Sequence, residues 1–518
     1  MTKIWSTDRR GLLKAGGMAL AGLALAPRLS WSAEGDTLRL RAASDFQVLD
    51  PKGIIGELDD IIPRCTQVTL IRLGDMREGN ETSNWGAEKI EWIDPQKIAF
   101  TLREGLVWNN GFGPVTAEDV KFSFERIAGS DSAWAYQFEK LEKVEVIDAR
   151  SGIIHLKQPF KPFWVIALPY YGGHIVCKAA VEKAGGSYTT EIPAQCGPFL
   201  LDKWEQNQKV TLVANPDWTG PKSDFNRIEI FIVGDDQAAL LAYEADAFDF
   251  TRVAVSSAKQ LKEKLPAGAA MIEAQSTRYA WLTINMNSPQ LADARVRKAI
   301  QYAYDGDAVL QGAYDGLVSR SAGVVQPGTK FARGKNIIAA RDVEKAKALL
   351  AEAGATGLKL NLVALTDSTS QAIAQIVQAN LGEAGITVEI QPTEDAAYWA
   401  LGDKTQGDTY KTLELVLMNF AGGIDPTENL VWFRPGQIGV YNWSFFDSKE
   451  FEDLYQQGVV EQDDAKRKAI FNRMEDLMED SGGFIFICFE PHLVIHDANL
   501  KPVILADGHP NPTMFKKI

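Results

Sequence analysis

Residues 102–127 read LREGLVWNNGFGPVTAEDVKFSFERI, and this stretch decides the fold class. The strand that leads into it alternates apolar and less apolar residues, the apolar ones being Ile98, Phe100 and Leu102. Asn110-Gly111 is a turn signal, and Thr116 followed by Asp119 is a pattern that begins a helix. The apolar face of that helix consists of Val120, Phe124 and Ile127. The residues therefore predict a strand, a turn and an amphipathic helix, and by themselves they indicate only a core module.

The wording of this stretch closely resembles the signature of the family 5 (cluster C) solute-binding proteins of bacterial ABC importers, the oligopeptide-, dipeptide- and nickel-binding group. The family pattern runs roughly F-x-L-R-x-G-x-x-W-x-D-G-x-P-x-T-A-x-D-V-x-F-S-x-x-R. The matching positions are Phe100, Leu102, Arg103, Gly105, Trp108, Gly111, Pro114, Thr116, Ala117, Asp119, Val120, Phe122, Ser123 and Arg126. The departures are Asn110 for the usual Asp and a lengthened loop at 111–114. Nothing in the stretch is catalytic, so it identifies a family rather than a reaction.

The resemblance covers nearly all of the chain that follows residue 32, and it implies an architecture. We expect an α/β, periplasmic-binding-protein-like fold of type II, with two lobes and an additional subdomain in the first lobe. The first lobe is expected over 36–275 and 485–518, its extra subdomain over about 60–174, and the second lobe over 276–484. The ligand is expected between the lobes, which close on it by a hinge motion. The closed form is expected to dock on a separate membrane permease with its ATPase.

The residues of the expected second lobe also indicate an α/β sheet without help from the resemblance. Helical and strand patterns alternate along the chain, over 342–353, 358–363, 370–384 and 386–390. Gly354 and Gly385 each follow a helix, where glycine commonly ends the last turn. This alternation favours parallel strands joined by right-handed crossovers.

Composition limits the partners that the protein can have. The chain has 518 residues, of which 46% are hydrophobic and 24% charged, and length alone allows about three domains. Its net charge of −14 argues against binding to nucleic acid or to an anionic membrane surface. No window approaches the roughly 20 apolar residues that a membrane-spanning helix needs. We expect a monomer that uses no cofactor.

Residues 1–32 are predicted to be an export signal rather than part of the fold. Thr7–Lys14, TDRRGLLK, resembles the twin-arginine export consensus, and a short apolar run follows at 15–26. Ser30-Trp31-Ser32 favours cleavage after Ser32, with cleavage after Ala33 as the alternative. An uncleaved anchor or a Sec signal is the other interpretation, but the arginine pair and the modest hydrophobicity favour the twin-arginine route. We therefore expect the protein in the periplasm.

The cysteines leave two alternatives open. The four are Cys65, Cys177, Cys196 and Cys488, and their spacing fits no zinc site. An oxidising compartment permits disulfides, so Cys177 and Cys196 either form a bridge or remain buried free thiols.

One segment bears directly on the ligand. Asn419–Thr427, NFAGGIDPT, matches the family segment W-x-A-D-Y-P-D-P. In the peptide-binding members the first Asp of that segment pairs with the α-ammonium group of the ligand, a charge-assisted contact. Here Gly422 takes the place of that Asp, and Asn419 takes the place of Trp. Asp425 keeps the second Asp and either contributes to the site or caps the following helix. The missing carboxylate argues against a ligand with a free α-ammonium group.

The other candidates for ligand contact are aromatic or lie near a second matching motif. Leu49-Asp50-Pro51 matches the family's L-D-P, and the resemblance implies that the residues just before it line the cleft. Phe46 and Gln47 are therefore candidates, with an ordinary strand exit as the alternative. Aromatic rings offer flat apolar faces for stacking, although core packing is the alternative for each. The aromatic candidates are Tyr279, Trp281, Trp399, Phe420, Trp432, Tyr441 and Trp443.

The sequence contains no recognised catalytic motif: neither G-x-S-x-G, nor G-x-x-x-x-G-K-[ST], nor H-E-x-x-H. His492 and His496 share one face of a strand but have no third ligand nearby, so a metal site is not favoured. Two ligand classes remain. A peptide or amino-acid derivative is slightly favoured because it is the family's commonest cargo, whereas Gly422 and the aromatic residues favour a sugar or an opine. An exported hydrolase is the hypothesis from another class, and turnover of a ligand would indicate it.

Overall fold

The structure is a computed structural model, and it describes residues 37–54, 56–78, 81–129, 132, 134–338 and 340–518. The predicted export signal at 1–32 therefore lies outside the described residues. Among the residues that are described, no helix combines the length and the hydropathy that a membrane crossing requires.

Twenty strands form the sheets of the described chain. The first ten are β1 (Thr37–Ala42), β2 (Ile71–Leu73), β3 (Thr82–Asn84), β4 (Ala87–Asp94), β5 (Lys97–Leu102), β6 (Val107–Trp108), β7 (Gly113–Pro114), β8 (Leu141–Val146), β9 (Ser151–Leu156) and β10 (Phe199–Glu205). The others are β11 (Lys209–Ala214), β12 (Arg227–Ile232), β13 (Phe250–Arg252), β14 (Ala269–Ile284), β15 (Lys359–Leu365), β16 (Thr387–Thr393), β17 (Leu415–Ala421), β18 (Phe484–Asp497), β19 (Leu500–Lys501) and β20 (Lys516–Lys517).

Fourteen α-helices accompany these strands in the described chain. The first seven are α1 (Glu57–Thr66), α2 (Ala117–Ala128), α3 (Phe163–Ile166), α4 (Lys178–Lys183), α5 (Asp236–Glu244), α6 (Val255–Glu263) and α7 (Ala294–Ala303). The others are α8 (Gly306–Tyr314), α9 (Val343–Glu352), α10 (Ser368–Glu383), α11 (Asp395–Gly402), α12 (Pro426–Leu430), α13 (Lys449–Val460) and α14 (Asp464–Asp480).

One mixed ten-stranded sheet runs through the molecule in the order β10-β11-β12-β1-β13-β18-β14-β17-β15-β16. Its central strands, β14 and β18, are antiparallel to each other. The part of the sheet that contains β1 belongs to the first lobe, and the part that contains β15 belongs to the second. β18 also pairs with β13, and β14 with β17, so both central strands belong to both lobes. Their mutual pairing is irregular between Gln275 and Tyr279. The predicted border at 275–276 falls at this irregularity, and the predicted border at 484–485 falls at the start of β18.

The second lobe follows the predicted alternation of helices and strands. The patterns at 342–353, 358–363, 370–384 and 386–390 correspond to α9, β15, α10 and β16. β15 pairs in parallel with both β16 and β17, as crossover helices require. Gly354 and Gly385 have φ values of 67° and 85°, the left-handed conformation that glycine adopts at the end of a helix. Two buried cores fill this lobe, one under the crossover helices and one rich in aromatic rings.

The small subdomain of the first lobe is built by the signature stretch. Its antiparallel sheet has the order β4-β5-β9-β8, and the apolar face of α2 shares one buried core with β5. Between β6 and β7 the chain turns at Asn110 and Gly111, with φ values of 59° and 77°. Asn and Gly are the residues that tolerate this left-handed conformation best, so Asn110 serves the turn as the family's Asp would.

One residue of the signature, Asp119, holds several parts of the subdomain together. Its carboxylate accepts hydrogen bonds from the backbone N–H of Thr116 at 2.9 Å, from Trp108 Nε1 at 3.3 Å and from the backbone N–H of Lys178 at 2.9 Å. Arg126, the last signature residue, donates from Nη1 to Asp50 Oδ1 at 2.8 Å. The signature therefore joins strand, helix and the L-D-P motif into one unit.

No disulfide is formed among the cysteines. Cys65, Cys177, Cys196 and Cys488 all lie within the described residues, and all four are buried free thiols. Of the two alternatives left open for Cys177 and Cys196, the structure contains the free pair and not the bridge. Burial raises the pKa of the Cys177 thiol, which keeps it protonated and poorly reactive.

Candidate functional site

Seven of the predicted aromatic candidates meet where β14 and β17 run side by side. We call them the aromatic cluster: Tyr279, Trp281, Trp399, Phe420, Trp432, Tyr441 and Trp443. Phe420 is at its centre, because its ring centroid lies 5.0 Å from that of Trp281, 5.6 Å from Tyr441, 5.8 Å from Trp399 and 6.2 Å from Trp432. The register of the sheet places Tyr279 opposite Phe420, so β14 and β17 each contribute rings to the same patch.

The aromatic cluster has two layers. Tyr279, Trp281 and Trp443 are at most 2% exposed and form the lower layer, which belongs to the core. Trp399, Phe420 and Trp432 are half-buried, and Tyr441 is 39% exposed. Only the upper layer can contact a ligand directly, while the lower layer fixes the orientation of the rings above it.

A polar group lies next to these rings across the central strands. Arg278 donates from Nη2 to Asn419 Oδ1 at 2.6 Å and forms an ion pair from Nε to Glu490 Oε2 at 2.9 Å. Burial raises the pKa of Glu490, although Arg278 partly opposes this effect. Asn419 therefore presents an amide that is already held in place by a charged neighbour.

The loop after β17 is too crowded for side chains at its two glycines. The Gly422 N–H donates to Thr277 O at 3.0 Å, and the Gly423 N–H donates to Asn429 Oδ1 at 2.7 Å. A Cβ atom on Gly422 would overlap the Asn429 side chain, and a Cβ atom on Gly423 would overlap the carboxyl group of Glu428. The space of the family's aspartate is thus filled by neighbouring side chains.

Asp425 is occupied by a structural role. It caps α12 by accepting from the Thr427 N–H at 3.1 Å, and both of its oxygens accept from Arg467 at 3.0 Å. Both members of this ion pair are buried. Of the two roles that the sequence left open for Asp425, the cap is the one that the structure contains.

Phe46 and Gln47 lie apart from the aromatic cluster, in the first lobe. Phe46 is 3% exposed and packs on Trp204 with ring centroids 4.5 Å apart. Gln47 is exposed, and its backbone N–H donates to Asp59 Oδ1 at 2.7 Å. These contacts fit the alternative interpretation of Phe46 and Gln47, which is an ordinary strand exit.

The small subdomain faces the second lobe across a narrow gap. The rings of Tyr136 and Trp432 lie 6.2 Å apart, and Gln137 Nε2 donates to Glu428 Oε1 at 3.4 Å. Beside these contacts is a cavity of about 200 Å³. Its wall is formed by Tyr136, Glu139, Lys140, Phe160, Ile166, Thr427, Glu428, Val431, Arg434, Tyr455, Gln456 and Val459. This interlobe cavity is therefore shared by the two lobes.

A buried charge cluster lies in the first lobe, under two tyrosines. Arg64 donates from Nε to Asp60 Oδ2 at 2.7 Å and from Nη2 to Asp507 Oδ2 at 3.4 Å. Its guanidinium group lies 5.9 Å and 6.0 Å from the ring centroids of Tyr170 and Tyr171.

His509 adds a second positive charge to this cluster. Its Nδ1 lies 2.9 Å from Asp60 Oδ2. Burial alone would lower the pKa of His509, but Asp507 and Asp60 outweigh it and raise that pKa to about 9. Asp60, Asp507 and His509 are close enough to share a metal ion, but Arg64 already contacts both carboxylates. Two cations and two carboxylates thus satisfy one another.

The candidate site residues taken from the sequence do not include Tyr136, Gln137 and Glu428. The first two are unremarkable in the sequence and gain importance only because the subdomain folds against the second lobe. Glu428 follows Asp425 by three residues, a spacing that suggests a helix cap. The available signal was the pair Gly422-Gly423, since two small residues in a row leave room for a neighbouring side chain.

The comparison with known families agrees with this geometry. The family model described as bacterial extracellular solute-binding proteins, family 5 Middle, matches residues 81–437. The chain belongs to this family. Membership confirms the resemblance seen in the signature stretch, and it makes this family 5 protein an extracytoplasmic solute-binding component that works with an ABC permease. It also shows that the hydrolase hypothesis is wrong, because members of the family are binding proteins and not enzymes.

Known relatives of this family 5 protein cover almost its full length. The probable D,D-dipeptide-binding periplasmic protein DdpA of Escherichia coli K12 is 25% identical over 468 residues, which span 87% of this chain and 88% of DdpA. The structure of CtaP from Listeria monocytogenes is 20% identical, with a TM-score of 0.82 over 94% of this chain and all of that one. MoaA from A. tumefaciens R10, solved with mannopinic acid, is 22% identical, with a TM-score of 0.76 over 93% of this chain and 99% of that one. The two structures confirm the type II binding-protein fold.

Proposed function

We propose that this solute-binding protein captures a small peptide or amino-acid derivative between its lobes and passes it unaltered to the permease. The observation that carries the proposal is the interlobe cavity beside the upper layer of the aromatic cluster. Its volume of about 200 Å³ equals roughly six or seven water molecules at about 30 Å³ each. That space suits a ligand, or one ligand group, of amino-acid size.

The lobes close by bending at the irregularity of β14 and β18. On this proposal the border at 275–276 lies at the hinge. The second border lies opposite it, between Phe489 and Pro491, a few residues after the expected 484–485, because residues 484–489 pack in the cores of the second lobe. Closure removes water from the site and strengthens polar contacts made there. Trp399, Asn419, Phe420, Trp432 and Tyr441 are not part of the cavity wall, and on this proposal they contact the part of the ligand that extends beyond the cavity past Tyr136 and Trp432. Tyr279, Trp281 and Trp443 support them.

The remaining predicted site residues act at the edges of this arrangement. Gly422 and Asp425 shape the loop after β17, and Phe46 and Gln47 form the first-lobe margin of the cleft. The similarity to DdpA, a probable D,D-dipeptide-binding protein, supports a peptide class of ligand.

An opine is the second candidate ligand. It is favoured by the absence of a carboxylate at Gly422 and by the half-buried rings, which offer stacking faces to a sugar-derived chain. MoaA, whose fold is the same, was solved with mannopinic acid.

A binding screen tests the proposal. We expect a pool of dipeptides to tetrapeptides to raise the melting temperature of the folded protein, because a ligand that binds only the folded state stabilises it. Mannopine and mannopinic acid form the second arm, and glucose serves as a polar control. Isothermal titration of the best ligand should give one site per chain, with the ligand recovered unchanged. A shift with the opines alone would replace the first candidate by the second, and no shift in either arm would contradict both.

Export and oligomeric state are proposals of the same kind. We propose that residues 1–32 direct the chain through the twin-arginine route and that the mature protein is a monomer. Replacing Arg9 and Arg10 together by Lys should retain the full-length precursor in the cytoplasm. Processing and export that continue unchanged would contradict the route, and light scattering that gives twice the mass of the chain would contradict the monomer.

A further inference from the structure

The side chain of Glu428 fills the room that the glycine pair leaves. A Cβ atom on Gly423 would overlap Glu428 Oε2, so the carboxyl group lies directly over the loop that follows β17. The family's aspartate belongs to the neighbouring position, 422, where Asn429 now blocks any side chain. An acidic group is therefore present at this loop, although it comes from α12 and not from the loop itself.

The carboxyl group of Glu428 is poorly satisfied by the protein. Oε1 accepts one long hydrogen bond, from Gln137 Nε2 at 3.4 Å, and Oε2 is buried without a hydrogen-bond partner among the described residues. Burial, followed by the nearby charge of Asp425, raises the pKa of Glu428 to about 8. An unsatisfied buried carboxyl is costly to keep, so its presence calls for a role.

Glu475 provides a contrast within the same molecule. Its carboxyl group also lies over a glycine, Gly323, but Oε1 accepts hydrogen bonds from the backbone N–H groups of Val324 at 2.7 Å and Val325 at 2.9 Å. Glu475 Oε2, like Glu428 Oε2, has no hydrogen-bond partner among the described residues, but the two bonds to Oε1 hold a segment of the second lobe and give Glu475 a structural role. Glu428 interacts with the backbone N–H of Ile424 and the side chain of Gln137, and unlike Glu475 it lines the interlobe cavity.

The surroundings of Glu428 favour a cation over an anion. The two cations in the cavity wall are already paired, Arg434 with Glu452 at 2.6 Å and Lys140 with Glu139 at 2.9 Å. The ring of Tyr455 already lies 4.5 Å from the guanidinium group of Arg434, but the ring of Tyr136 also lines the wall, and ring faces attract ammonium groups.

We propose that Glu428, in place of a residue at 422, is the acidic group that binds an ammonium group of the ligand in the interlobe cavity. The inference rests on the proposed function, since it takes the ligand to be a peptide or amino-acid derivative. It also removes the objection that Gly422 raised, because a free α-ammonium group again has a carboxylate to meet.

Binding should release a proton. In the empty site at pH 7 the carboxyl group of Glu428 is mostly protonated, and pairing with an ammonium group ionises it, so its proton passes to the solvent. Affinity should therefore rise by up to about tenfold per pH unit between pH 6 and 8 and level off above, where the ligand's own amine, with a pKa of about 8, begins to lose its charge.

Three phenols near Glu428 stay protonated in this range. The pKa values of three phenols are raised, mainly by burial, and these belong to Tyr136, Tyr170 and Tyr455. Asp425 is held in its ion pair with Arg467.

The test compares Glu428→Gln with the wild type and uses Glu475→Gln as the control, because both changes remove a carboxyl group whose pKa is raised by burial and whose Oε2 has no partner among the described residues. The probes are a pool of dipeptides to tetrapeptides and the same pool after N-acetylation. We expect the untreated pool to stabilise the wild type and Glu475→Gln against heat. Glu428→Gln should bind the best single peptide at least about 30-fold more weakly, the loss expected when one member of a buried charge pair is removed. The acetylated pool should bind none of the three proteins.

Titration of that peptide in two buffers of different ionisation enthalpy should show release of nearly one proton at pH 7 by the wild type and less by Glu428→Gln. Equal binding by Glu428→Gln, or equal binding of the acetylated pool, would overturn the role of Glu428 and leave the peptide function standing. Failure of both pools to bind the wild type would overturn the proposed function and this inference with it.

Discussion

At the scale of single residues, Glu428 combines a cost in stability with a use in binding. Its pKa of about 8 in the folded protein lies far above that of a carboxyl group in an unfolded chain, about 4.3. Between these two values the folded state holds a proton that the unfolded state has lost, so this residue lowers the free energy of unfolding as pH rises.

We therefore predict that Glu428→Gln stabilises the ligand-free protein at pH 8 by roughly 2–5 kcal/mol and has little effect at pH 4.5. The upper figure is the full difference between the two pKa values, and the partial exposure of Glu428 reduces it. Urea unfolding of both proteins at the two pH values checks this expectation. Stability curves of the two proteins that stay parallel over the whole pH range would contradict it.

Gly422 gives a second prediction at this scale. Restoring the family's carboxylate by Gly422→Asp should destabilise the protein by about 1–3 kcal/mol, because the new side chain overlaps Asn429 and the carbonyl oxygen of Thr277. The double variant Gly422→Asp with Asn429→Ala makes space and should recover part of the loss. Chemical denaturation measures both. A stable single variant would show that the loop adjusts easily and that Gly422 is not required by packing.

At the scale of elements, the beginning of α2 depends on one carboxylate. Asp119 holds Thr116, Trp108 and the start of α4 together. Asp119→Ala should therefore lower the free energy of unfolding by about 2–3 kcal/mol, since a cap and further buried hydrogen bonds are lost. Glu118→Ala is the control, because its exposed side chain lies in the same helical turn. Equal effects of the two changes would contradict the capping role.

The elements that could be predicted from the sequence are those that neighbouring residues encode. The signature stretch encodes β5, its turn and α2 locally, through alternation, Asn110-Gly111 and the Thr116–Asp119 cap, so those elements were predictable. The glycines at 354 and 385 likewise mark the ends of α9 and α10. The upper layer of the aromatic cluster could be proposed as a group because its four members all lie between residues 399 and 441.

The approach of Gln137 to Glu428 could not be predicted in this way. These residues are 291 positions apart, and the contact exists only because the subdomain folds against the second lobe. The filling of the Gly422 space by Asn429 is also invisible in the sequence, since it depends on how α12 returns over the loop.

At the scale of the whole molecule, polar contacts join the small subdomain to the second lobe, and on the proposed hinge closure they belong to the closed form. Lys161 of the subdomain donates from Nζ to Gln462 O at 2.7 Å and to Asp464 Oδ1 at 2.8 Å. Lys330, within the second lobe, pairs with the same carboxylate of Asp464.

Lys161→Met should therefore favour the open form, whereas Lys330→Met, the control, should not. Because a partly exposed ion pair contributes at most about 1 kcal/mol, ligand affinity should fall by no more than roughly fivefold. Small-angle scattering should show a larger radius of gyration for ligand-free Lys161→Met than for the control. Identical radii and affinities would mean that this contact does not govern closure.

The two central strands have a consequence for how the protein resists proteolysis. β14 and β18 pass from one lobe to the other as hydrogen-bonded partners within a single sheet. Proteases cleave exposed flexible loops most readily, and this part of the junction contains paired strands in place of such a loop. Cleavage should start on the outlying turns of the lobes, and a nicked chain should hold its halves together and go on binding.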